Sequence, residues 1–215
     1  FYCGVDLHTK RMYLCILDRD GNKRLHRNVR AKPREFLRAI EDFRNDLVVG
    51  VECMFTWYWL ADLCQDESIQ FLLGHALYMR AIHGGKKKDD KLDSEKIARL
   101  MRGGTFPMSY VYPREMRATR DLVRRRMFLV RRRSELLQHV QLINQQYNHD
   151  SFEKNVKYAA NRDVLDRFEE DSARLSVEAD LQMVGHYDRL LKQLESNLLR
   201  QATRHDPQSS SLLRT

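Results

Sequence analysis

Residues 1–29 read FYCGVDLHTKRMYLCILDRDGNKRLHRNV, and this stretch predicts three consecutive strands. Its two apolar runs, residues 1–7 and 12–17, have the length of strands rather than of helices. Asp20-Gly21-Asn22 has the composition of a hairpin turn, so residues 23–29 form a third strand that returns along the second. The chain therefore begins with an antiparallel meander.

Helix and strand signals alternate in the segment that follows. Pro33 begins a helix whose apolar residues share one face. Residues 47–51 (LVVGV) form a fourth strand, apolar enough to be central in a sheet. Residues 56–65 are predicted to be helical and residues 69–73 to form a fifth strand. A meander followed by such units predicts an α/β fold with a mixed five-stranded sheet, in the order of ribonuclease-H-like domains.

Two acids end strands whose other residues are apolar. Asp6 follows Gly4-Val5 on the first strand, and Glu52 follows Gly50-Val51 on the fourth. Burying a carboxylate there is costly unless it is paired or binds a cation. Because these strands are neighbours in a ribonuclease-H-like sheet, both carboxylates could reach one metal ion. His8 is interpreted as a partly exposed structural histidine.

A second pair of acids lies in the segment Asp89-Asp90-Lys91-Leu92-Asp93-Ser94, where another helix is predicted to begin. The spacing of Asp90 and Asp93 puts both carboxylates on one helical face, although Asp89 competes with Asp90. Each acid alone is explained as well by a strand end or a helix start. The four acids together predict a Mg²⁺ site of hard oxygen ligands, which Mn²⁺ could also occupy.

The chain is basic, with a formal net charge of +8 and a pI of about 9.4, which favours a polyanionic partner. Nine arginines and two acids lie between residues 114 and 133. Their ridge would suit the phosphates of DNA or RNA. A lysine triplet ahead of the second acidic pair is equally compatible with phosphate binding and with a solvated loop. The predicted nucleic-acid-binding residues are Lys86, Lys87, Lys88, Arg124, Arg125, Arg126, Arg131, Arg132 and Arg133.

Apolar residues recur every seven positions in the second half of the chain. The three sets are Leu122, Leu129, Leu136 and Ile143; Met116, Val123, Val130 and Leu137; and Val177, Val184, Leu191 and Leu198. This spacing predicts a coiled coil and at least a dimer. We divide the chain into a nuclease domain with a long basic helix (residues 1–150), a helical coiled-coil region (151–205) and a linker (206–215).

Other conspicuous residues are interpreted as structural. The four cysteines form no CxxC pair and no zinc-site spacing, so they are expected to be small buried residues in a reducing cytosol. Trp57, Tyr58 and Trp59 are compatible with base stacking, but core packing is favoured beside Leu60 and Leu63. The start of the chain has no signal-peptide features, and no apolar run is long enough to span a membrane.

These motifs resemble those of the DEDD transposases of the insertion sequence 110 family, which include invertases of pilin genes. The resemblance rests on Gly4-Val5-Asp6, on Val51-Glu52 followed by Tyr58-Trp59-Leu60, and on residues 88–94 with Ile97-Ala98. Residues 88–94 match the family pattern Lys-x-Asp-x-x-Asp-Ala/Ser. The resemblance implies a RuvC-like domain in which Asp6, Glu52, Asp90 and Asp93 bind Mg²⁺ and are catalytic.

The same resemblance implies partners and a further domain. It implies donor and target DNA, a structured guide RNA, a coiled-coil arm that forms a homo-oligomer, and a bacterial or archaeal cytoplasmic protein at the nucleoid. The family's C-terminal domain, which supplies a catalytic serine, is not in this sequence. Ser209, Ser210 and Ser211 are not assigned that role, and this fragment could lack recombination activity on its own.

Three functions stay in competition. The leading one is a recombinase subunit for metal-dependent DNA cleavage and strand exchange, guided by RNA. The second is a stand-alone nuclease of the Holliday-junction type, for which the carboxylates are equally suited. The third is a non-catalytic module for RNA binding and dimerisation, in which the arginines and the coiled coil carry the function.

Overall fold

A computed structural model describes residues 1–82 and 90–205, without the side chains of residues 80–82, 90, 204 and 205. The chain divides into two compact units, one of residues Phe1–Arg114 and one that begins at Glu115. Each unit is described by itself. The predicted domain boundary at residue 150 stays a prediction.

The first unit alternates strands and helices in the predicted order. The strands are β1 (Tyr2–Leu7), β2 (Arg11–Leu17), β3 (Lys23–Arg30), β4 (Val48–Glu52), β5 (Gln70–Gly74) and β6 (Met108–Ser109). The helices are α1 (Pro33–Ile40), α2 (Tyr58–Asp66), α3 (Ala76–Ile82) and α4 (Asp90–Arg102), and a 3-10 helix spans Glu41–Asp46. The hairpin turn at Gly21, with φ of 89°, joins β2 to β3 as predicted.

The strands form one mixed sheet in the order β3-β2-β1-β4-β5-β6. β1, β2 and β3 are antiparallel, whereas β1, β4 and β5 are parallel. This confirms the predicted α/β fold of ribonuclease-H-like order. The sheet has a sixth strand in addition to the five predicted, because two residues of β6 pair with the end of β5. A two-residue strand has no periodicity from which to predict it.

One face of the sheet carries the main core. Phe36 and Ile40 of α1 and Leu60 of α2 are fully buried against Val5 of β1 and Val49 of β4. The prediction that the tryptophans pack in the core is confirmed in this cluster, and the prediction of buried cysteines is confirmed for Cys3, Cys15 and Cys64, whereas Cys53 is only partly buried. Trp57 is 2% exposed, Tyr58 and Trp59 are partly buried against the cluster, and Cys3 and Cys64 are buried.

The other face is covered by α4, which packs directly on the strand backbones. A Cβ atom at Gly4 of β1 would collide with the Ser94 carbonyl oxygen and the Ala98 nitrogen, and one at Gly50 of β4 would collide with the Met101 sulfur. The end of α4 lies beside the β2–β3 turn, where Arg102 approaches Gly21. The β2–β3 turn lies beyond the start of β1. Helix α4 therefore runs antiparallel to β1, and it begins at the edge of the sheet where β1 ends.

The second unit is built on two long helices, α5 (Arg114–Gln146) and α6 (Asp171–His205). Val140 of α5 packs against Val177 and Leu181 of α6, and Leu137 packs against Val184. Ion pairs join Arg126 to Glu195 at 2.7 Å and Arg133 to Asp188 at 2.6 Å. Since positions later in α5 meet positions earlier in α6, the helices form an antiparallel hairpin.

The connecting segment between these helices completes the second core. Phe152, Val156, Val164 and Phe168 lie against the two helices. Val177, Val184 and Leu191 of α6, predicted from their heptad spacing to form a coiled coil, are buried within the single chain. None of the described helices has the length and apolarity needed to cross a membrane.

Candidate active site

Two of the predicted acids end neighbouring parallel strands. β1 and β4 pair in a register that sets Gly4 beside Gly50 and Val5 beside Val51. One residue further along each strand are Asp6 and Glu52. Because side chains alternate along a strand, both acids share the face of Gly4 and Gly50, which is the face that α4 covers.

The start of α4 lies over the same edge of the sheet. Ser94, in the first turns of the helix, is fully buried, and its carbonyl oxygen lies against Gly4, two residues before Asp6. Asp93 directly precedes Ser94. Asp90 is the first residue of α4, as predicted, but its side chain is outside the described residues. Three structural elements thus converge on one edge, each bringing a predicted acid.

The described acids here are partly buried and in polar contact. Asp6 is 21% exposed in its side chain and lies 3.2 Å from Nε2 of His8, which is 56% exposed. Asp93 is 33% exposed and accepts a hydrogen bond from Lys96 at 3.2 Å. Partial burial keeps electrostatic interactions stronger than in bulk water. Carboxylates at a partly buried edge, still open to solvent, suit a hard divalent cation.

Among the described side chains, one group of three has all its ligand atoms within 4.8 Å, and it consists of Cys15, His26 and Glu95. Its member on α4, Glu95, follows Asp93 by two residues. Glu95 is already bound by Lys23 at 3.0 Å and by Arg99 at 2.7 Å. Burial and the nearby Glu95 carboxylate raise the pKa of Cys15 to about 11. Two cations beside a protonated thiol oppose the binding of a third cation, so this group is a structural cluster.

The edge with Asp6 and Glu52 is flanked by residues that sequence reasoning did not single out. Arg11 is the partner of Arg30 across β2 and β3, and its Nε donates a hydrogen bond to Asn28 at 2.8 Å. On the other side, Phe55 follows β4 and is 82% exposed. Arg11 and Arg30 face each other because of the register between β2 and β3. The composition of the chain does not determine that register. An apolar Phe within a few residues of Glu52 was a weak signal, because isolated exposed apolar residues are common.

Some predicted nucleic-acid-binding residues are described and others are not. Lys86, Lys87, Lys88 and Asp89 lie outside the described residues, as do Ser209, Ser210 and Ser211. Of the six predicted arginines of α5, Arg126 and Arg133 are partly buried and paired with α6. Arg132 pairs with Glu135 on its own helix.

Three arginines of α5 face solvent without a carboxylate partner among the described residues. They are Arg124, Arg125 and Arg131. The guanidinium group of Arg125 lies 5.3 Å from the ring centroid of Phe128. The predicted ridge therefore contains two arginines that pair with α6, one that pairs within α5 and three that are accessible to an anion.

Comparison with known proteins agrees with the fold and with the order of the acids. No curated protein matches the chain. A family model described as a transposase, for the DEDD transposases of insertion sequence 110, matches residues 3–149. That match spans β1 to the end of α5, including all four predicted acids, and it covers more than half of the chain. The chain therefore belongs to the DEDD transposase family of insertion sequence 110.

Proposed function

We propose that the first unit carries the DNA-cleaving site of a Mg²⁺-dependent transposase, with Asp6, Glu52, Asp90 and Asp93 as the metal ligands. Family membership implies a transposase that acts on DNA and uses a divalent metal. The observation that carries the residue assignment is the convergence of β1, β4 and the first turn of α4 at one edge of the sheet. The protein would act in the cytoplasm, at the nucleoid.

The donor set fits a hard cation. All four side chains are carboxylates, the ligand type that Mg²⁺ prefers. Asp6 and Glu52 extend from the two central parallel strands, whose positions are fixed by the sheet. The acids of α4 are held by a helix that lies directly on those strands. Rigid supports on three elements reduce the reorganisation needed to gather like charges around one site.

The metal would supply Lewis-acid stabilisation of the phosphate oxygens and lower the pKa of an attacking hydroxyl. The protein side chains have the tasks of binding and orientation. Asp6 and Glu52 would hold the cation at the sheet edge, because both extend from strands whose positions the sheet fixes. His8, beside Asp6 and more than half exposed, is in a position to hold the Asp6 carboxylate in one orientation.

Calorimetric titration of the chain with Mn²⁺ and Mg²⁺ tests this assignment. Asp6→Asn keeps the size of the side chain and removes its charge, so we expect the metal affinity to fall by more than about tenfold. Asp20→Asn is the matched control, because Asp20 is exposed in the turn at the opposite edge, and its affinity should equal that of the unmodified chain.

Glu95→Gln separates this assignment from the structural cluster around Cys15. It removes a carboxylate from the one close group of three metal-ligating side chains among the described residues. If Glu95→Gln abolishes metal binding while Asp6→Asn leaves it intact, the assignment of the four acids is wrong. If Asp6→Asn alone weakens binding, the sheet edge is the metal site.

We also propose that the exposed arginines of α5 bind a structured guide RNA. Arg124, Arg125 and Arg131 face solvent without an ion pair among the described residues, and arginine suits the phosphate backbone of RNA. Replacing these three by Gln should reduce the slope of log RNA affinity against log salt concentration by about 2 to 3. Equal RNA binding by this variant and the unmodified chain would exclude them as RNA contacts.

A homo-oligomer, if the chain forms one, has a candidate interface on α5. Met116, Val123, Met127 and Val130 follow one another at intervals of seven, four and three residues along the helix, and each is more than a third exposed. This is the spacing of a coiled-coil seam. We propose that a second copy of the chain packs on this α5 seam.

A further inference from the structure

Four basic residues lie on the β2–β3 side of the end of the sheet that carries Asp6 and Glu52, and we name them the basic flank. They are Lys10, Arg11, Arg30 and Lys32. All four are exposed, and none forms an ion pair within the described parts of the chain. Their positions are fixed by the backbone, because the Ala31 N–H donates to the Lys10 carbonyl oxygen at 3.1 Å.

The two arginines of the basic flank share a sheet face with the acids. Asp6 is the cross-strand partner of Tyr13, and Tyr13 is the partner of Asn28. Two residues away on the same face, Arg11 is the partner of Arg30. The His8 N–H donates to the Arg11 carbonyl oxygen at 3.0 Å. A row of side chains thus runs from Arg30 through Arg11 and His8 toward Asp6.

The arginine pair is electrostatically unfavourable in the absence of an anion. Directly opposed residues in an antiparallel ladder have Cα atoms about 5 Å apart, and like charges in that position are destabilising. Arg11 is also held in place, since its Nε donates to Oδ1 of Asn28. That hydrogen bond leaves the two terminal nitrogens of the guanidinium group to bind an anion bidentately.

The opposite edge of the sheet provides a contrast. There Arg24 pairs with Asp18 at 2.8 Å, Lys23 with Glu95 at 3.0 Å, and Arg19 with Asp46 at 3.1 Å. These three basic residues at the opposite edge are each neutralised by a neighbouring carboxylate. The basic flank has no such neutralisation, although it lies beside the proposed metal ligands.

We propose that Arg11 and Arg30, with Lys10 and Lys32, bind consecutive phosphates of the DNA strand that enters the Asp6–Glu52 edge. This inference rests on the proposed function for the position of the scissile strand. DNA is favoured over RNA because the flank adjoins the acids that would cleave the substrate. The arginines would act as positioning residues, which fix the register of the backbone and carry no sequence information.

The test is DNA binding by the Arg11→Gln/Arg30→Gln chain over a series of salt concentrations. The probe is a short fluorescein-labelled DNA duplex of arbitrary sequence, in EDTA so that no metal contributes. We expect affinity to fall by about tenfold to a hundredfold near 0.1 M salt, and the slope of log affinity against log salt to decrease by about 2. The melting temperature should stay the same or rise, because two opposed charges are removed.

Arg27→Gln/Arg38→Gln is the matched control. It removes the same charge from the opposite face of β3 and from α1, and its salt slope should equal that of the unmodified chain. Equal slopes for all three proteins would overturn the proposal, as would loss of binding to a structured RNA probe with unchanged binding to DNA. Because EDTA is present, failure of the metal site would leave this result unaffected.

Discussion

The candidate site depends on the absence of a side chain at Gly4 of β1. Any Cβ at this position would collide with backbone atoms of α4, at Ser94 and Ala98. Backbone atoms cannot rotate away as a flexible side chain can, so the helix would have to move off the sheet. The acids of α4 would then move away from Asp6.

We therefore expect Gly4→Ala to destabilise the first unit by about 3 kcal/mol or more and to weaken metal binding. Gly185→Ala is the control, because a Cβ at Gly185 of α6 meets no atom within 4 Å. That substitution should stabilise the protein by about 0.5 to 1 kcal/mol, as alanine is the better helix former. Urea denaturation measures both, and an unchanged stability of Gly4→Ala would contradict the close packing of α4.

The candidate site could be predicted from the sequence where an acid interrupts an apolar strand or where two acids share one helical face. Asp6 and Glu52 are acids in apolar strands, and that contrast is visible without a structure. The pair formed by Arg11 and Arg30 was not predictable, because it depends on the register between β2 and β3. A shift of one residue would place Arg30 on the other face, and composition does not fix that shift.

At the scale of elements, the α5–α6 hairpin explains part of the heptad spacing within one chain. Val184 and Leu137 pack together, although their spacing alone would suit a partner chain equally well. Sequence periodicity identifies an apolar face but not the helix that covers it. The antiparallel pairing became visible from the ion pairs between Arg133 and Asp188 and between Arg126 and Glu195.

Asp188 is the central ionic contact of this hairpin. It accepts hydrogen bonds from Arg133 and Arg162, both at 2.6 Å. Both arginines are largely buried in their side chains. Asp188→Asn should therefore lower the free energy of unfolding by about 2 kcal/mol. Asp171→Asn, at a 99% exposed side chain in the first turn of the same helix, should have a much smaller effect in the same denaturation assay.

The effect of Asp188 should depend on pH in a defined direction. Burial of Asp188 raises its pKa, but the hydrogen bonds from Arg162 and Arg133 lower it more, so the pKa in the folded chain lies below its ordinary value. The stabilisation is then complete above the unfolded-state pKa of about 3.9 and is lost as the pH falls through the folded-state pKa. The stability difference from Asp188→Asn should be constant at neutral pH and disappear in acid. A difference that persists in acid would show that the charge of Asp188 is not responsible.

The α5 seam has no covering element among the described residues of its own unit. Val123→Glu/Met127→Glu would place two charges on it, and two buried unpaired charges are strongly unfavourable in an interface. We expect the unmodified chain to sediment as an oligomer and this variant to sediment as a monomer at the same concentration. Leu175→Glu, at a position 66% exposed on α6, should keep the oligomer. An oligomer that survives the double substitution would mean that the chains associate elsewhere.

At the scale of the whole molecule, each unit has its own apolar core. The clusters around Val5, Ile97 and Cys15 contain only residues of the first unit. The clusters around Val140 and Leu137 contain only residues of the second. Since cooperative folding requires a core that the folding segment can bury by itself, a chain of residues 1–114 should fold alone.

Two fragments decide where the first domain ends. We expect residues 1–114 to unfold cooperatively in urea and to keep the metal affinity of the whole chain. A fragment of residues 1–150 follows the boundary predicted from the sequence and contains α5 without α6. Its Leu137 and Val140, both buried in the hairpin, would then be exposed to water. Each loss of burial costs about 1.5 to 3 kcal/mol, so this fragment should aggregate or lose helicity by circular dichroism. If instead the longer fragment is monomeric and more stable than the shorter one, α5 belongs to the nuclease domain and the boundary lies at residue 150.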